Sequence, residues 1–172
     1  MKHSLLAFAF AGATSLANAQ TAAASAPQTP APPPARGVPV ELALEAAKLA
    51  LDTCKGLDQK VGVSVLDSAG EVRLVLAADG AANRGVQNSA LKAKAALAFD
   101  LPSGEVAERA KTDPALAARL AANPGWLARA GAVPVHVGGT LIGAIGVGGA
   151  RGSEKDEACA VAGLEKVRSR LF

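Results

Sequence analysis

Apolar residues are spaced in two ways along this chain, every three to four positions in some segments and every second position in others. The first spacing marks one face of a helix, and the second marks one face of a strand. A first helix is predicted by Leu44, Ala47, Leu51 and Cys54, with Gly56 at its end. Two strands are predicted next, at residues 61–66 and 71–77, with a turn at residues 67–70 between them. Three valines share one face of the first strand: Val61, Val63 and Val65.

The second half of the chain contains more helices and a second strand pair. A helix is predicted over residues 86–98, and two shorter helices begin at Ser103 and at Asp113-Pro114. Residues 133–147 form a hairpin, and residues 153–171 form a final helix in which Ser153 and Asp156 make a capping box. The order α-ββ-ααα-ββ-α predicts an α+β domain, in which helices pack on one antiparallel sheet of four to five strands.

Glycines dominate the region around the predicted hairpin. Gly138-Gly139 favours a two-residue turn, because glycine accepts the positive φ angles that such turns need. Residues 141–149 alternate bulky side chains with minimal ones, so another group must lie close to this backbone. A small-molecule site and a tight protein interface are the two uses we expect for such a surface.

The first 37 residues have a composition unlike the rest of the chain. Lys2 and His3 precede an apolar stretch at residues 5–16, and Ala17-Asn18-Ala19 fits the small-residue pattern that signal peptidase cleaves. We therefore predict a signal peptide at residues 1–19, an Ala/Pro-rich linker at residues 20–37 and one domain at residues 38–172. The mature protein is expected in the periplasm or secreted. No membrane span is predicted, because no later apolar stretch has the length of about 18 residues that a span needs.

Charge and aromatic content argue against a nucleic-acid-binding protein. The formal net charge is only +3, and the lysines and arginines do not cluster. The chain has no tyrosine and one tryptophan, so a stacking platform for bases is not expected.

Two cysteines, Cys54 and Cys159, remain in the predicted mature chain. An even number in an exported protein favours a disulfide. The alternative is two buried free thiols, because both residues lie on predicted apolar helix faces.

Several motifs together resemble the GlcG/HbpS-like family of haem-binding or "haem-degrading" proteins, to which the C-terminal domain of PduO-type proteins is similar. The resemblance spans residues 40–171 and is most specific in Gly143-Ala-Ile-Gly-Val and in Lys155-Asp156-Glu157-Ala158-Cys159-Ala160. The other motifs are Val65-Leu66-Asp67-Ser68-Ala69-Gly70, Asp79-Gly80-Ala81, Ser89-x-x-Lys92-Ala93-x-x-Ala96 and Phe99-x-x-Pro102. The resemblance implies an α/β sandwich, assembly into homo-oligomers, and haem or a related tetrapyrrole as ligand. It also implies the pair Cys54–Cys159, because exported members have cysteines at similar places.

One position departs from this pattern. Many exported relatives carry a His-Thr pair just ahead of the Ser-x-x-Lys-Ala helix, where this chain has Arg84 and Gly85. A neutral imidazole can ligate haem iron, whereas a guanidinium stays protonated and only donates hydrogen bonds. If that histidine is the family's iron ligand, this chain lacks it, and haem would be held with Arg84 on its propionates and His136 on its iron.

The predicted ligand-binding residues are Arg84, Lys92, His136, Gly148, Gly149 and Arg151. His136 is the candidate metal ligand, predicted opposite Leu141 on a face shared with Pro134, Gly143 and Ile145; the alternative is a partly exposed strand histidine.

The predicted role of Lys92 is to balance an anionic ligand or to pair with Asp79 or Asp156. Asp156 and Glu157 are more simply explained as first-turn acids that stabilise a helix. The loop from Gly148 to Ser153 precedes a helix N-terminus, where backbone N–H groups and Arg151 attract carboxylates or phosphate.

These observations favour a periplasmic protein that binds a small ligand, with haem or a related tetrapyrrole implied by the resemblance. One alternative is an oligomeric interaction module without a ligand, in which the glycine-rich strand packs subunits together. Another is a weak enzyme acting on small carboxylic acids, with Lys92, Asp156 or Arg84 near a pocket. No nucleophile–base pattern is visible, so no catalytic residue is predicted and the balance leans against an enzyme.

Overall fold

The computed structural model describes residues 34–172, so the predicted signal peptide and most of the predicted linker lie outside the described residues. The helices are α1 (Val40–Gly56), α2 (Asn83–Phe99), α3 (Ser103–Ala110), α4 (Pro114–Ala121) and α5 (Ser153–Val167), followed by a 3-10 turn at Arg168–Arg170. The strands are β1 (Gly62–Asp67), β2 (Val72–Ala77), β3 (Ala132–Val137) and β4 (Thr140–Gly148). No helix in this part of the chain is long and apolar enough to span a membrane.

The four strands form one antiparallel sheet in the order β2-β1-β4-β3. Helices α1 and α5 pack on one face, where the valines of β1 lie as predicted, and α2 covers the other face. The predicted α+β fold is confirmed. The start of α2 lies beside the end of β4, where Gly85 contacts Gly148 and Gly149, and its other end lies beside β3 at His136.

Helix α1 buries its alanines rather than its leucines. The buried residues are Ala43, Ala46, Ala47, Ala50 and Cys54. Leu44 was predicted on the apolar face, but it is 44% exposed. The reason is the close approach of α5: a Cβ on Gly163 would lie 2.5 Å from the carbonyl oxygen of Ala46, and only small side chains fit between such backbones.

The glycines of β4 allow α2 to approach the sheet closely. A Cβ on Gly146 would collide with the carbonyl oxygen of Ser89, and a Cβ on Gly148 with that of Gly85. The prediction of a close neighbour is therefore confirmed, and the neighbour is α2 of the same chain. The idea that this strand packs subunits together is wrong, because these glycines are buried inside one chain.

The β3–β4 hairpin turns at Gly138 and Gly139, whose φ angles are +55° and +77°, as predicted. His136 is paired with Leu141, also as predicted, but the register shifts at the next residue so that Val135 pairs with Gly143. Pro134 consequently pairs with Ala144. The predicted common face of His136 with Gly143 and Ile145 is therefore wrong, because the bulge reverses the alternation beyond it.

Two helix boundaries differ from the predictions by three residues or more, and one predicted cap is missing. Helix α2 begins at Asn83, three residues earlier than expected, and α5 ends at Val167. The capping box at the start of α5 is absent: Gly152 is the N-cap residue, and no side chain caps the helix there. Asp156 was expected to cap, but its carboxylate turns into the interior.

Candidate functional site

The carboxylate of Asp156 meets the ammonium of Lys92 in the interior. Lys92 Nζ donates to Asp156 Oδ2 at 2.6 Å, and the side chains are 2% and 3% exposed. Burial lowers the pKa of Lys92, and the ion pair with Asp156 opposes that effect by favouring the charged ammonium. Of the roles considered for Lys92, the ion pair with Asp156 is the one observed.

Glu157 and Ser103 fix the neighbouring backbone. Glu157 Oε2 accepts from the backbone N–H of Gly104 at 3.2 Å and of Gly131 at 3.1 Å. Ser103 Oγ donates to the carbonyl oxygen of Arg129 and accepts from the N–H of Ala132. Asp156 and Glu157 therefore act as internal acceptors, rather than as the helix-stabilising acids that were predicted.

A cleft of about 480 Å³ opens at the end of the molecule where α2 begins. Its walls come from the segment after α1, the loop before α2 and the loop before α5: Asp58, Gln59, Lys60, Gly80, Ala82, Gly149 and Arg151. The side chain of Lys60 lies against Gly80, because a Cβ added to Gly80 would be 3.3 Å from Lys60 Nζ. Arg84 stands on the first turn of α2, two residues beyond Ala82.

The loop before α5 rests directly on α2. A Cβ on Gly85 would lie 2.8 Å from Gly149 Cα, so a larger residue at position 85 would push the loop away. Two backbone N–H groups of the loop already have partners: Ala150 donates to Asp156 Oδ1 at 2.9 Å, and Arg151 donates to Gln59 Oε1 at 2.7 Å. The predicted anion site on this loop therefore loses two of its expected backbone donors.

The start of α2, unlike the loop before α5, has no side-chain hydrogen bond to its backbone N–H groups in the described part of the chain. Its N-cap residue, Ala82, has no capping side chain, and the first turn contains no acidic residue. The positive end of the dipole of a 17-residue helix therefore faces the region of Lys60, Arg84 and Arg151. None of these three side chains forms an ion pair within residues 34–172.

His136 lies at the other end of α2. Its Nε2 is 2.7 Å from Oδ1 of Asp100, the residue that follows α2 with a φ of +53°. A 17-residue helix is roughly 25 Å long, so one chain does not bring His136 and Arg84 into a common site.

The predicted residues thus fall into three groups. Gly148, Gly149 and Arg151 lie beside the first turn of α2, which carries Arg84. Lys92 is enclosed with Asp156, and His136 is paired with Asp100. Lys60 and Gln59 were not predicted, because no motif marks them and the fold alone brings them to the cleft.

The predicted disulfide is present. Cys54 on α1 is bonded to Cys159 on α5, with the two Cα atoms 5.7 Å apart and the two residues 105 positions apart in sequence. Both cysteines are fully buried, and the described residues contain no free cysteine. The bond joins the last turn of α1 to α5, one turn past Asp156.

A buried polar pair between α2 and α5, a glycine strand under α2 and a cleft at the start of α2 define a small α+β domain with a cationic opening. The family model described as "Haem degrading protein HbpS-like" matches residues 38–165. The chain belongs to this HbpS-like family. A search of curated protein sequences finds no match.

Solved structures agree with this membership. A crystal structure of HbpS is 30% identical with a TM-score of 0.72, over 83% of this chain and 98% of that one. A double mutant of HbpS from Streptomyces reticuli is also 30% identical, with a TM-score of 0.71 over 88% and 99% of the two chains. The complex of PduOC with haem shares the fold at 20% identity, with a TM-score of 0.68 over 75% and 94%.

The residues that line the cleft fit the propionates of a haem better than its iron. The cleft offers ammonium, guanidinium and amide donors, which suit carboxylates such as propionates. Its lining contains no histidine, cysteine, methionine or tyrosine that could ligate iron. The one histidine within residues 34–172 is His136, at the far end of α2.

Proposed function

We propose that this protein is an exported binder of haem or a related tetrapyrrole, which it holds by the carboxylates of the ligand. The observation that carries the proposal is that Lys60 and Arg151 line the cleft at the uncapped start of α2, whose first turn also carries Arg84, and that none of the three has an acidic partner among the described residues. Family membership supplies the class of ligand.

Charge and geometry favour an anionic ligand at this end. Arginine binds carboxylates through paired hydrogen bonds, and a helix N-terminus adds backbone donors and a positive potential. Gly149 and Arg151 both line the cleft, so a ligand there would lie against the loop before α5. Asp58 is the one acidic residue of the cleft lining, which leaves the lining net positive.

The iron would then need a different partner, and His136 is the proposed one. Its pairing with Asp100 resembles the carboxylate–imidazole arrangement that orients a metal-ligating histidine. Because His136 is roughly 25 Å from the start of α2, it would serve a separate haem or a haem shared with a second subunit. If His136 serves a separate haem, affinity at the cleft should not depend on iron.

Porphyrin titrations test both parts of this proposal. We expect the mature protein to bind hemin and iron-free protoporphyrin IX, measured by quenching of Trp126 fluorescence, and to bind protoporphyrin dimethyl ester far more weakly. The variant Arg84→Gln/Arg151→Gln should weaken binding of both acids, whereas Arg109→Gln, an exposed arginine on α3, should not.

Binding of the dimethyl ester as tightly as the acid would refute recognition through carboxylates. The Soret band of bound hemin tests the histidine, since His136→Ala should alter its position. An identical Soret band in wild type and His136→Ala would remove His136 as an iron ligand.

Export and assembly are further parts of the proposal. The signal-peptide pattern at residues 1–19 and the Cys54–Cys159 disulfide support an oxidising compartment outside the cytoplasm. Cell fractionation and N-terminal sequencing should find a protein that begins at Gln20, and a cytoplasmic protein that begins at Met1 would contradict this. Light scattering on the purified protein should give a multiple of the subunit mass.

The other two functions lack a supporting observation. The enzyme alternative names Lys92, Asp156 or Arg84 near a pocket; Lys92 and Asp156 are enclosed in their ion pair, which leaves only Arg84 close to the cleft. The interaction-module alternative needs the glycine-rich strand β4 at the surface of the subunit, but α2 of the same chain covers that strand.

A further inference from the structure

The loop from Gly148 to Gly152 is held by hydrogen bonds to two side chains that lie outside the loop. Asp156 Oδ1 accepts from the N–H of Ala150, and Gln59 Oε1 accepts from the N–H of Arg151. These bonds fix two consecutive residues, and the residues on either side of Ala150 line the cleft. The position of Arg151 therefore depends on where Asp156 holds the backbone.

Asp156 is itself held from α2. Gly85, Ser89 and Lys92 are four and three residues apart, so they lie along one face of that helix. Gly85 contacts the backbone of the loop at Gly149. Lys92 lies two turns further along α2 and donates to Oδ2, the other carboxylate oxygen of Asp156. A chain of contacts thus runs from Lys92 through Asp156 to Ala150 and the cleft.

We propose that Asp156 is a positioning residue that holds Gly149 and Arg151 in place at the cleft for its ligand. The proposal rests on the function proposed above. What the proposal requires is an oxygen acceptor at position 156 for the N–H of Ala150. The charge of the Lys92–Asp156 pair is not required.

Two double variants separate the acceptor from the charge. Lys92→Met/Asp156→Asn and Lys92→Met/Asp156→Leu both remove the ion pair, so neither leaves a buried charge unpaired. Asparagine keeps an oxygen that can accept from Ala150, and leucine does not. We expect the asparagine variant to bind protoporphyrin IX about tenfold more tightly than the leucine variant, as the loss of one positioning hydrogen bond predicts.

Amide hydrogen exchange gives a readout that needs no ligand. The Ala150 amide should be protected in wild type and in the asparagine variant, and should exchange rapidly in the leucine variant. Equal porphyrin affinity and equal Ala150 protection in the two variants would overturn the proposal. If wild type binds no porphyrin while the exchange difference appears, the proposed function fails and the positioning of the loop stands.

Wild type alone provides a second test if either variant fails to fold. The Ala150 amide should then exchange as slowly as the buried amides of α5, because its acceptor is enclosed. Exchange as fast as that of the exposed Gly138–Gly139 turn would contradict the proposal.

Discussion

The ammonium of Lys92 and the carboxylate of Asp156 lie 2.6 Å apart, although the two residues are 64 positions apart in sequence. Lys92 belongs to the helix on one face of the sheet and Asp156 to a helix on the other face. The pair meets beside Gly131, just before β3, where a Cβ would lie 2.5 Å from Lys92 Nζ. This contact joins the two helical layers directly.

Removal of one partner of this buried pair should destabilise the protein strongly. Lys92→Met leaves the Asp156 carboxylate buried without its cation, and breaking a buried pair in this way costs about 3–5 kcal/mol. Lys48→Met removes a lysine from the exposed pair with Asp52 and should cost less than about 1 kcal/mol. Urea unfolding measures both values, and equal losses would contradict the structural importance of the buried pair.

Sequence patterns predicted the elements well because each pattern is local. Helical spacing, strand alternation and the Gly138-Gly139 turn depend on neighbouring residues, and all were found. Sheet order and register depend on contacts between distant segments. The bulge at Val135 and His136 has no sequence signal, and it displaced His136 from the predicted face.

The site was harder to predict for the same reason. An acid in the first turn of α5 fits a cap when only α5 is considered, but Asp156 has a stronger partner in Lys92. Lys60 and Gln59 reach the cleft because α1 ends where the loop before α5 passes. Leu44 was misplaced because α5 approaches α1 too closely to admit leucines.

The packing of α2 on β4 should not tolerate a side chain at Gly146. A methyl group there would meet the carbonyl oxygen of Ser89 and would lie 3.0 Å from Ala93 Cβ. Gly146→Ala should therefore lower the free energy of unfolding by about 1–3 kcal/mol. Gly125→Ala is the matched control, because nothing lies within 4 Å of its added Cβ. Equal stability of the two variants in urea would show that α2 can move aside at no cost.

Acid should weaken the protein partly through Asp67. Burial alone would raise the pKa of this carboxyl, but hydrogen bonds from Glu71, Arg73 and Ala69 outweigh it and hold the pKa below its ordinary value. A carboxyl whose pKa is lower in the folded state stabilises the protein above its unfolded pKa of about 3.9, and this contribution is lost as the pH falls through the folded value.

The comparison of wild type with Asp67→Asn isolates that contribution. Wild type should be the more stable at pH 7, and the difference between the two should shrink as the pH falls below about 4. Urea unfolding at several pH values measures it. Asp52→Asn, at an exposed site paired with Lys48, should show a much smaller difference throughout. A gap between wild type and Asp67→Asn that does not change with pH would contradict the assigned pKa direction.

The Cys54–Cys159 bond should contribute much of the stability of the domain. It closes a loop of 105 residues, and in the chain-entropy view a loop of about that size stabilises the folded state by about 4–5 kcal/mol. We expect Cys54→Ala/Cys159→Ala to unfold at markedly lower urea, and wild type to fall to a similar midpoint once it is unfolded and refolded with reductant. The double variant is its own control, because reductant should leave its midpoint unchanged.

Both sulfurs are fully buried, so mass spectrometry with an alkylating reagent should find no modification of native wild type and two modified thiols after reduction in denaturant. Modification of the native, unreduced protein would refute the bond.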